Sequence, residues 1–237
     1  MPLALEVEQL HVSYGRVPVL FGLDLHVEAG ETLAVLGSNG AGKSTLLKAI
    51  SGLLPVVGGT VRLNGTDVTS MPAERRIGLG LAHLVGGNAT FGPLDVEENL
   101  SAAAHLYSAA ERDRKVAETF DRFPTLGELR DHPAASLSGG QEQLLALAMA
   151  LVHEPRILLI DELSLGLAPL VVQEVLALVR ELHAAGTAIV VVEQSLNVAL
   201  SVAQRAVFIE RGRIHYEGPA AELLERDDLA RSIFLGR

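Results

Sequence analysis

The strongest chemical signal in this sequence sits in a few side chains on two short stretches. Lys43 and Ser44 fall near the end of Gly37-Ser38-Asn39-Gly40-Ala41-Gly42-Lys43-Ser44-Thr45, and Asp161 and Glu162 end the run Ile157-Leu158-Leu159-Ile160-Asp161-Glu162. The first stretch has the spacing G-x-x-x-x-G-K-[ST]. Glycines let such a loop turn its backbone N–H groups inward on one point, which suits phosphate oxygens. A helix opening near Lys43 aims its positive dipole end at the same point. Lys43 supplies a cation for the β- and γ-phosphates, and the Ser44 hydroxyl can ligate Mg²⁺. In the second stretch, Asp161 can hold Mg²⁺ directly or through water, and Glu162 can take a proton from the water that attacks the γ-phosphate. The plain alternatives are a Gly-rich strand-to-helix connection and a strand end whose acids face solvent. The context opposes both, because each stretch is useful to the other.

The elements that must position these groups are legible around them. Thr32-Leu33-Ala34-Val35-Leu36 reads as a strand before the loop, and Leu46-Leu47-Lys48-Ala49-Ile50 as a helix after it. A buried strand ending in carboxylates places them at the ligand edge of a parallel sheet. Further strands are expected at Gly78 to Val85, Arg156 to Asp161, Ala188 to Val192 and Ala206 to Ile209, with a helix at Leu170 to His183. Strand alternating with helix means βαβ units and a parallel sheet. Ahead of them, alternation over residues 5–12 and from Val17 to Val27 predicts antiparallel β-structure. Thr60-Val61-Arg62-Leu63 adds to it before the Asn64-Gly65 turn. Asp95-Val96-Glu97-Glu98 is an N-cap with its capping-box partner, and a helical pattern runs from there to about Leu137. This helical segment, near 95–137, is inserted in a nucleotide-binding core that spans 1–237. The fold class is thus α/β: a phosphate-loop core with a parallel sheet, an antiparallel β part and an inserted helical subdomain.

Leu137-Ser138-Gly139-Gly140-Gln141 precedes a helix expected over Glu142 to Leu151. Ser138 reads as a plain N-cap with the glycines as a turn. Equally, Ser-Gly-Gly at a helix start is a second anion site, made of a hydroxyl, bare backbone N–H groups and a dipole end. Composition narrows the function classes. The chain has 237 residues, no cysteine, no tryptophan and a formal net charge of −10. It has no disulfide or thiolate metal site, and its acidity argues against nucleic acid as the main partner. No run of about 18 or more uninterrupted apolar residues predicts a membrane span, and MPLALEVEQL lacks the basic start of a signal peptide.

With these motifs in hand, the sequence resembles the ATP-binding cassette (ABC) ATPases. The phosphate loop at 37–45, LSGGQ at 137–141 and the carboxylates at 161–162 occur in that family's order and spacing, over essentially the whole chain. The resemblance implies ATP and Mg²⁺ as ligands and a head-to-tail dimer with a second ABC ATPase subunit. In it, Ser138, Gly139, Gly140 and Gln141 of one subunit cover the nucleotide held by the facing subunit. It also assigns Tyr14 to stacking on adenine, where the residues alone show an exposed aromatic at a strand end, and it puts Gln194 at the switch position usually held by His. A narrower similarity, through Asp95 to Leu100, Ser164 to Val172 and Val192-Glu193-Gln194, is to the ATPases of branched-chain amino acid importers and of the related urea and short-amide importers. It implies integral membrane permeases, an extracytoplasmic solute-binding protein as an indirect partner, and a peripheral place at the cytoplasmic face of the membrane. Ser164 to Ala168 would then contact the partner ATPase; on the residues alone the stretch reads equally as entry to a helix, since Pro169 suits a first-turn position.

Several positions depart from that pattern. Gly86, followed by Gly87, stands where the family usually has Gln, or in this subfamily often Glu, sensing the γ-phosphate; Asn88 has a carbonyl that can substitute at shorter reach and two residues out of register, and the plain alternative is a more flexible loop. Leu163 replaces the usual Pro, Ser195 stands where the subfamily has Asn, and Met149 removes a surface charge. The hydrolytic set of Lys43, Ser44, Asp161 and Glu162 is complete while the coupling set is altered. A second reading is therefore an ATP-binding regulatory or assembly subunit with weak hydrolysis of its own.

Overall fold

The computed structural model describes residues 2–86, 89–162, 164 and 167–225; the expectations placed on Gly87, Asn88, Leu163, Leu165 and Gly166 lie outside the described residues. Alternation at the front of the chain becomes two long strands, β1 (Leu3–Tyr14) and β2 (Val17–Glu28). The all-apolar stretch after them is β3 (Thr32–Leu36), followed by α1 (Lys43–Ser51), β4 (Val56–Leu63), β5 (Thr66–Asp67), α2 (Ala73–Ile77) and β6 (Leu81–Leu84). Helices then dominate: α3 (Val96–Ala103), α4 (Ala109–Arg122), α5 (Pro124–Gly127), a 3₁₀ turn (Ala134–Ser136) and α6 (Gly139–Leu151). The chain continues with β7 (Ile157–Asp161), α7 (Pro169–Ala184), β8 (Ala188–Val192), α8 (Leu196–Leu200), β9 (Arg205–Glu210), β10 (Arg213–Pro219) and α9 (Ala220–Glu225).

The strands form two sheets. One is antiparallel, in the order β2-β1-β4-β5; the other runs β10-β9-β3-β8-β7-β6. In the second, β3 pairs in parallel with β8 and β9, β7 with β6 and β8, and only the edge strand β10 is antiparallel. Every residue of β3, β7 and β8 is buried, as the uninterrupted apolar runs require of strands covered on both faces. The two faces go to different cores. Leu33, Val35, Ile157, Leu159, Val190 and Val192 pack with α1 and the antiparallel sheet. Leu158, Ile160, Ile189 and Val191 pack with residues of α3, α6 and α7.

Three sequence expectations need correction. The strand read from Gly78 shrinks to β6, because Leu79 and Gly80 close a turn on Arg76 and Ile77 (Leu79 N–H to Arg76 O, 3.0 Å; Gly80 N–H to Ile77 O, 2.8 Å) and Gly80 has φ +87°. The helix read from Glu142 begins at Gly139, so both glycines of LSGGQ belong to its first turn. Met149 does not simply strip a surface charge: on α6, it is half-buried and packs against the core that α3 and α7 share. The Asp95 capping box is present, with Glu98 N–H donating to Asp95 Oδ1 at 2.7 Å and Asp95 N–H to Glu98 Oε2 at 3.0 Å. One turn on, fully buried Asn99 organises the preceding loop. Its Oδ1 accepts from Phe91 N–H at 2.7 Å and its amide group donates to the carbonyls of Phe91, Leu94 and Asp95.

Candidate functional site

The loop between β3 and α1 leaves the C-terminal edge of the parallel sheet, next to the ends of β7 and β8. Its glycines are there for space as well as for backbone freedom. A Cβ on Gly37 would lie 2.3 Å from Ile209 O, and one on Gly42 2.7 Å from a Leu20 methyl. Gly42 is the N-cap of α1 in a left-handed conformation (φ 110°), and no side chain caps the helix. Lys43, 6% exposed, folds back so that its ammonium donates to Gly37 O (2.7 Å) and Ser38 O (3.0 Å). Burial holds its pKa below the usual lysine value, while Glu162 and Asp161 pull the other way.

Asp161 and Glu162 arrive from the end of β7. Asp161 is 5% exposed, and its carboxyl is pushed above the ordinary range, first by burial, with a hydrogen bond from Ser44 opposing and Glu162 adding to the rise. Asp161 Oδ1 is buried with no hydrogen-bond partner. A buried, unpaired carboxylate oxygen beside a hydroxyl is an all-oxygen donor set, which fits a hard divalent cation such as Mg²⁺ that keeps its remaining ligands from water and phosphate. Glu162 adopts φ +58°, uncommon for a residue with a side chain. Its N–H donates to Val192 O (2.9 Å) and its Oε1 accepts from Gln194 Nε2 (2.7 Å).

Together Val19, Asn39, Gly40, Gly42, Lys43, Ser44, Thr45, Glu162 and Gln194 line a cleft of about 450 Å³. The sequence-expected loop, lysine, hydroxyl, carboxylate and switch-position glutamine are thus brought together in one chain. Val19 is an addition that the sequence did not signal. Tyr14 does not line the cleft; it stands 47% exposed at the end of β1. Ser138, Gly139, Gly140 and Gln141 do not line it either. In this chain they form a closed capping box: Ser138 N–H donates to Gln141 Oε1 at 2.9 Å, and Gln141 N–H to Ser138 Oγ at 3.4 Å. A larger hollow of about 650 Å³ lies where the chain enters β6 and β7, lined by Gly78, Gly80, Tyr107, His153 and Arg156, away from the phosphate loop.

The turn Arg211–Gly212 between β9 and β10 locks the loop to the antiparallel sheet. Gly212 N–H donates to Ala41 O (2.9 Å), and Gly212 O accepts from Phe21 N–H of β2 (3.1 Å). The approach is so close that a Cβ on Gly212 would fall 1.9 Å from Val19 O.

The family model described as "ABC transporter" matches residues 20–164. The chain belongs to the ABC transporter family. This ABC ATPase is 33% identical over 232 residues to a high-affinity branched-chain amino acid transport ATP-binding protein, BraG, of Pseudomonas aeruginosa, covering 98% of this chain and 99% of that one. It is 37% identical over 227 residues to a probable branched-chain amino acid transport ATP-binding protein, LivF, of Archaeoglobus fulgidus, covering 94% and 95%. Other relatives carry the names of phosphonate and methionine import and of lipopolysaccharide export. Among solved structures, a nucleotide-free ATP-binding cassette from an ABC transporter superposes with a TM-score of 0.87 at 25% identity, over 98% of this chain and 97% of that one. The two-sheet α/β architecture is that of the ABC ATPase fold, and the protein is an ATP-hydrolysing, ATP-binding subunit of an ABC transporter. No helix among the described residues is long and apolar enough to cross a membrane.

Proposed function

We propose that this ABC ATPase powers an importer for branched-chain amino acids or a related small solute such as urea or a short amide. The observation that carries the reading is the match, over nearly the full length of both chains, to relatives named for branched-chain amino acid transport. The unit is the whole of 1–237, with residues near 95–137 as its helical subdomain. It works as a dimer with a second ABC ATPase subunit, peripheral to the cytoplasmic face of the membrane, with integral permeases and, beyond them, a solute-binding protein. The apolar groove between β6 and α6, with Phe91 53% exposed on its rim, supports a protein partner on that side.

In this reading Gly37 to Thr45 cradle the phosphates and Lys43 positions them. Ser44 and Asp161 hold Mg²⁺, which when bound neutralises charge developing on the phosphate oxygens. Glu162 accepts the proton of the attacking water, and Gln194 orients Glu162 and can donate to a phosphate oxygen. Tyr14 stacks on adenine, and Ser138, Gly139, Gly140 and Gln141 complete the site of the facing subunit. The test is phosphate release by the purified protein, alone and with its permeases in vesicles, together with uptake of labelled leucine, urea and acetamide. ATP-dependent leucine uptake is expected; uptake of none of the three would refute the solute class.

A second reading rests on Gly86, which presents no side chain to the site. A Cβ there would lie 3.0 Å from Asp161 O and 3.6 Å from Glu162 Cβ. A regulatory subunit with weak hydrolysis would release phosphate at a rate that a partner ATPase sets. A main power subunit would hydrolyse in its own right.

A further inference from the structure

The end of β8 reaches across to the segment that follows β7 with two consecutive side chains. Gln194 holds Glu162, as described. Its neighbour Glu193 is 3% exposed and holds Ser164 instead. The carboxylate accepts from Ser164 N–H (2.7 Å), from the Ser164 hydroxyl (3.0 Å) and from Gln194 N–H (3.2 Å). Burying a carboxylate is costly, and burial does push Glu193 upward, with the bonds from Ser164, Gln194 and Ser195 opposing. An ionised carboxyl has about four lone-pair sites and no donor, so it can take all of these hydrogens at once; an amide at the same place would turn its NH₂ toward one of them. The residue that Gln194 anchors, Glu162, is in a left-handed conformation, φ 58°. Such a conformation persists where the surroundings over-determine it.

We propose that Glu193 is a positioning residue for ATP turnover: by fixing Ser164 while Gln194 fixes Glu162, it sets the carboxylate of Glu162 in the phosphate cleft and ties it to the segment beginning at Ser164. This inference rests on the reading of Glu162 as the base. It links the two sides of that segment. A shift of Ser164 would reach Glu162 through Glu193 and Gln194, with no need for a contact to the nucleotide.

The test uses the full-length protein with Glu193→Ala, Glu193→Gln, Ser164→Ala and the double variant Glu193→Ala/Ser164→Ala. In Glu193→Ala, kcat for ATP is expected to fall by about 10–100-fold, the usual cost of a misplaced group, with KM within about threefold. Glu193→Gln, which keeps one acceptor, should recover part of the loss, and the double variant should be no worse than Glu193→Ala alone, as expected of residues acting through one contact. Amide hydrogen exchange of nucleotide-free protein is the second readout: Ser164 and Gln194 should exchange faster in Glu193→Ala while β3 and β7 do not change. Unchanged kcat in a folded Glu193→Ala protein overturns the proposal, as does unchanged exchange at Ser164. Glu193→Gln and Ser164→Ala read the same contact should the alanine variant not fold. A wild-type protein without ATP turnover would refute the reading of the site; the exchange arm still judges the clamp on its own.

Discussion

Two helix N-termini in this molecule carry Gly-rich sequence that the proposed function places against phosphate, and they are built in opposite ways. α1 starts at Gly42 with no side-chain cap, its lysine folded onto the carbonyls of its own loop. α6 starts at Ser138 with a closed capping box, in which Gln141 and Ser138 satisfy each other. An uncapped N-terminus leaves its backbone donors and a dipole end for a ligand; a closed box has spent two of those donors, Ser138 N–H and Gln141 N–H, on its own side chains. The difference teaches that the phosphate loop is organised within one chain, whereas Ser138 and Gln141 serve the helix first and must share their bonds with any second ligand. The two ends therefore respond differently to substitution.

The largest expected effect is at the α1 end. Glu162→Gln should lower ATP turnover by about 10²–10⁴-fold with ATP still bound; unchanged steady-state phosphate release would remove Glu162 from its role. Lys43→Ala should weaken ATP binding by about 10²-fold, as for truncating one partner of a buried charged contact, measured by titration calorimetry. Normal affinity would show that the uncapped helix end suffices without its lysine.

The far end of α1 gives a pH-dependent effect. His83 Nδ1 lies 3.0 Å from Ser51 Oγ, and burial first, then the Lys48 ammonium, lower its pKa from the ordinary 6.5 to about 4. The unfolded chain binds this proton more readily, so the contribution to stability is complete above about pH 6.5 and is lost as pH falls toward 4. The loss is of the order of 3 kcal/mol. Denaturant titrations of wild type and His83→Asn over that window should show the slope in wild type and its loss in the variant.

A smaller effect separates site from scaffold. The carboxyl of Asp161 is raised by burial, so its ionised form weakens the folded state once the pH exceeds the ordinary carboxylate range. Asp161→Asn should stabilise the nucleotide-free protein at neutral pH by about 1 kcal/mol, as relief of site strain commonly does. The gain should vanish at low pH, and ATP turnover should fall. A lower melting temperature at neutral pH would mean that the carboxylate supports the fold. A change of no greater size is expected for Ser138→Ala, which removes a cap worth about 1 kcal/mol and should lower the melting temperature by about 2–4 °C. Turnover of the ATPase dimer, measured well below the melting transition, should fall as well; unchanged turnover there would make Ser138 a cap and nothing more.

What the sequence reveals follows the range over which each signal acts. The phosphate loop, the apolar runs of β3, β7 and β8 and the Asp95 box are local, and periodicity or spacing is enough to find them. α2 and α8 are too short for a helical period, and β10 is an edge strand whose alternate residues face solvent. Gly78 to Gly80 joins an apolar run, but its glycines make a turn that hydropathy alone does not show. Glu193 and Asn99 were invisible as anchors, since nothing in the neighbourhood of either names Ser164 or Phe91 as its partner. Arg76, 2% exposed, donates to Ala49 O and Ile50 O and closes the last turn of α1 from another helix; only the folded chain places it there.

The Arg211–Gly212 turn touches the phosphate loop with one face and the outer sheet with the other, and it does so entirely through main chain. A load applied to the antiparallel sheet from outside would pass to Ala41 by two peptide groups in series, bypassing the hydrophobic layer beneath. Such a strut is indifferent to most side-chain drift on either side of it. It has a single vulnerable part, the missing methyl at position 212, and a bulkier residue there would pry the two halves of the nucleotide cleft apart while leaving every catalytic group chemically intact.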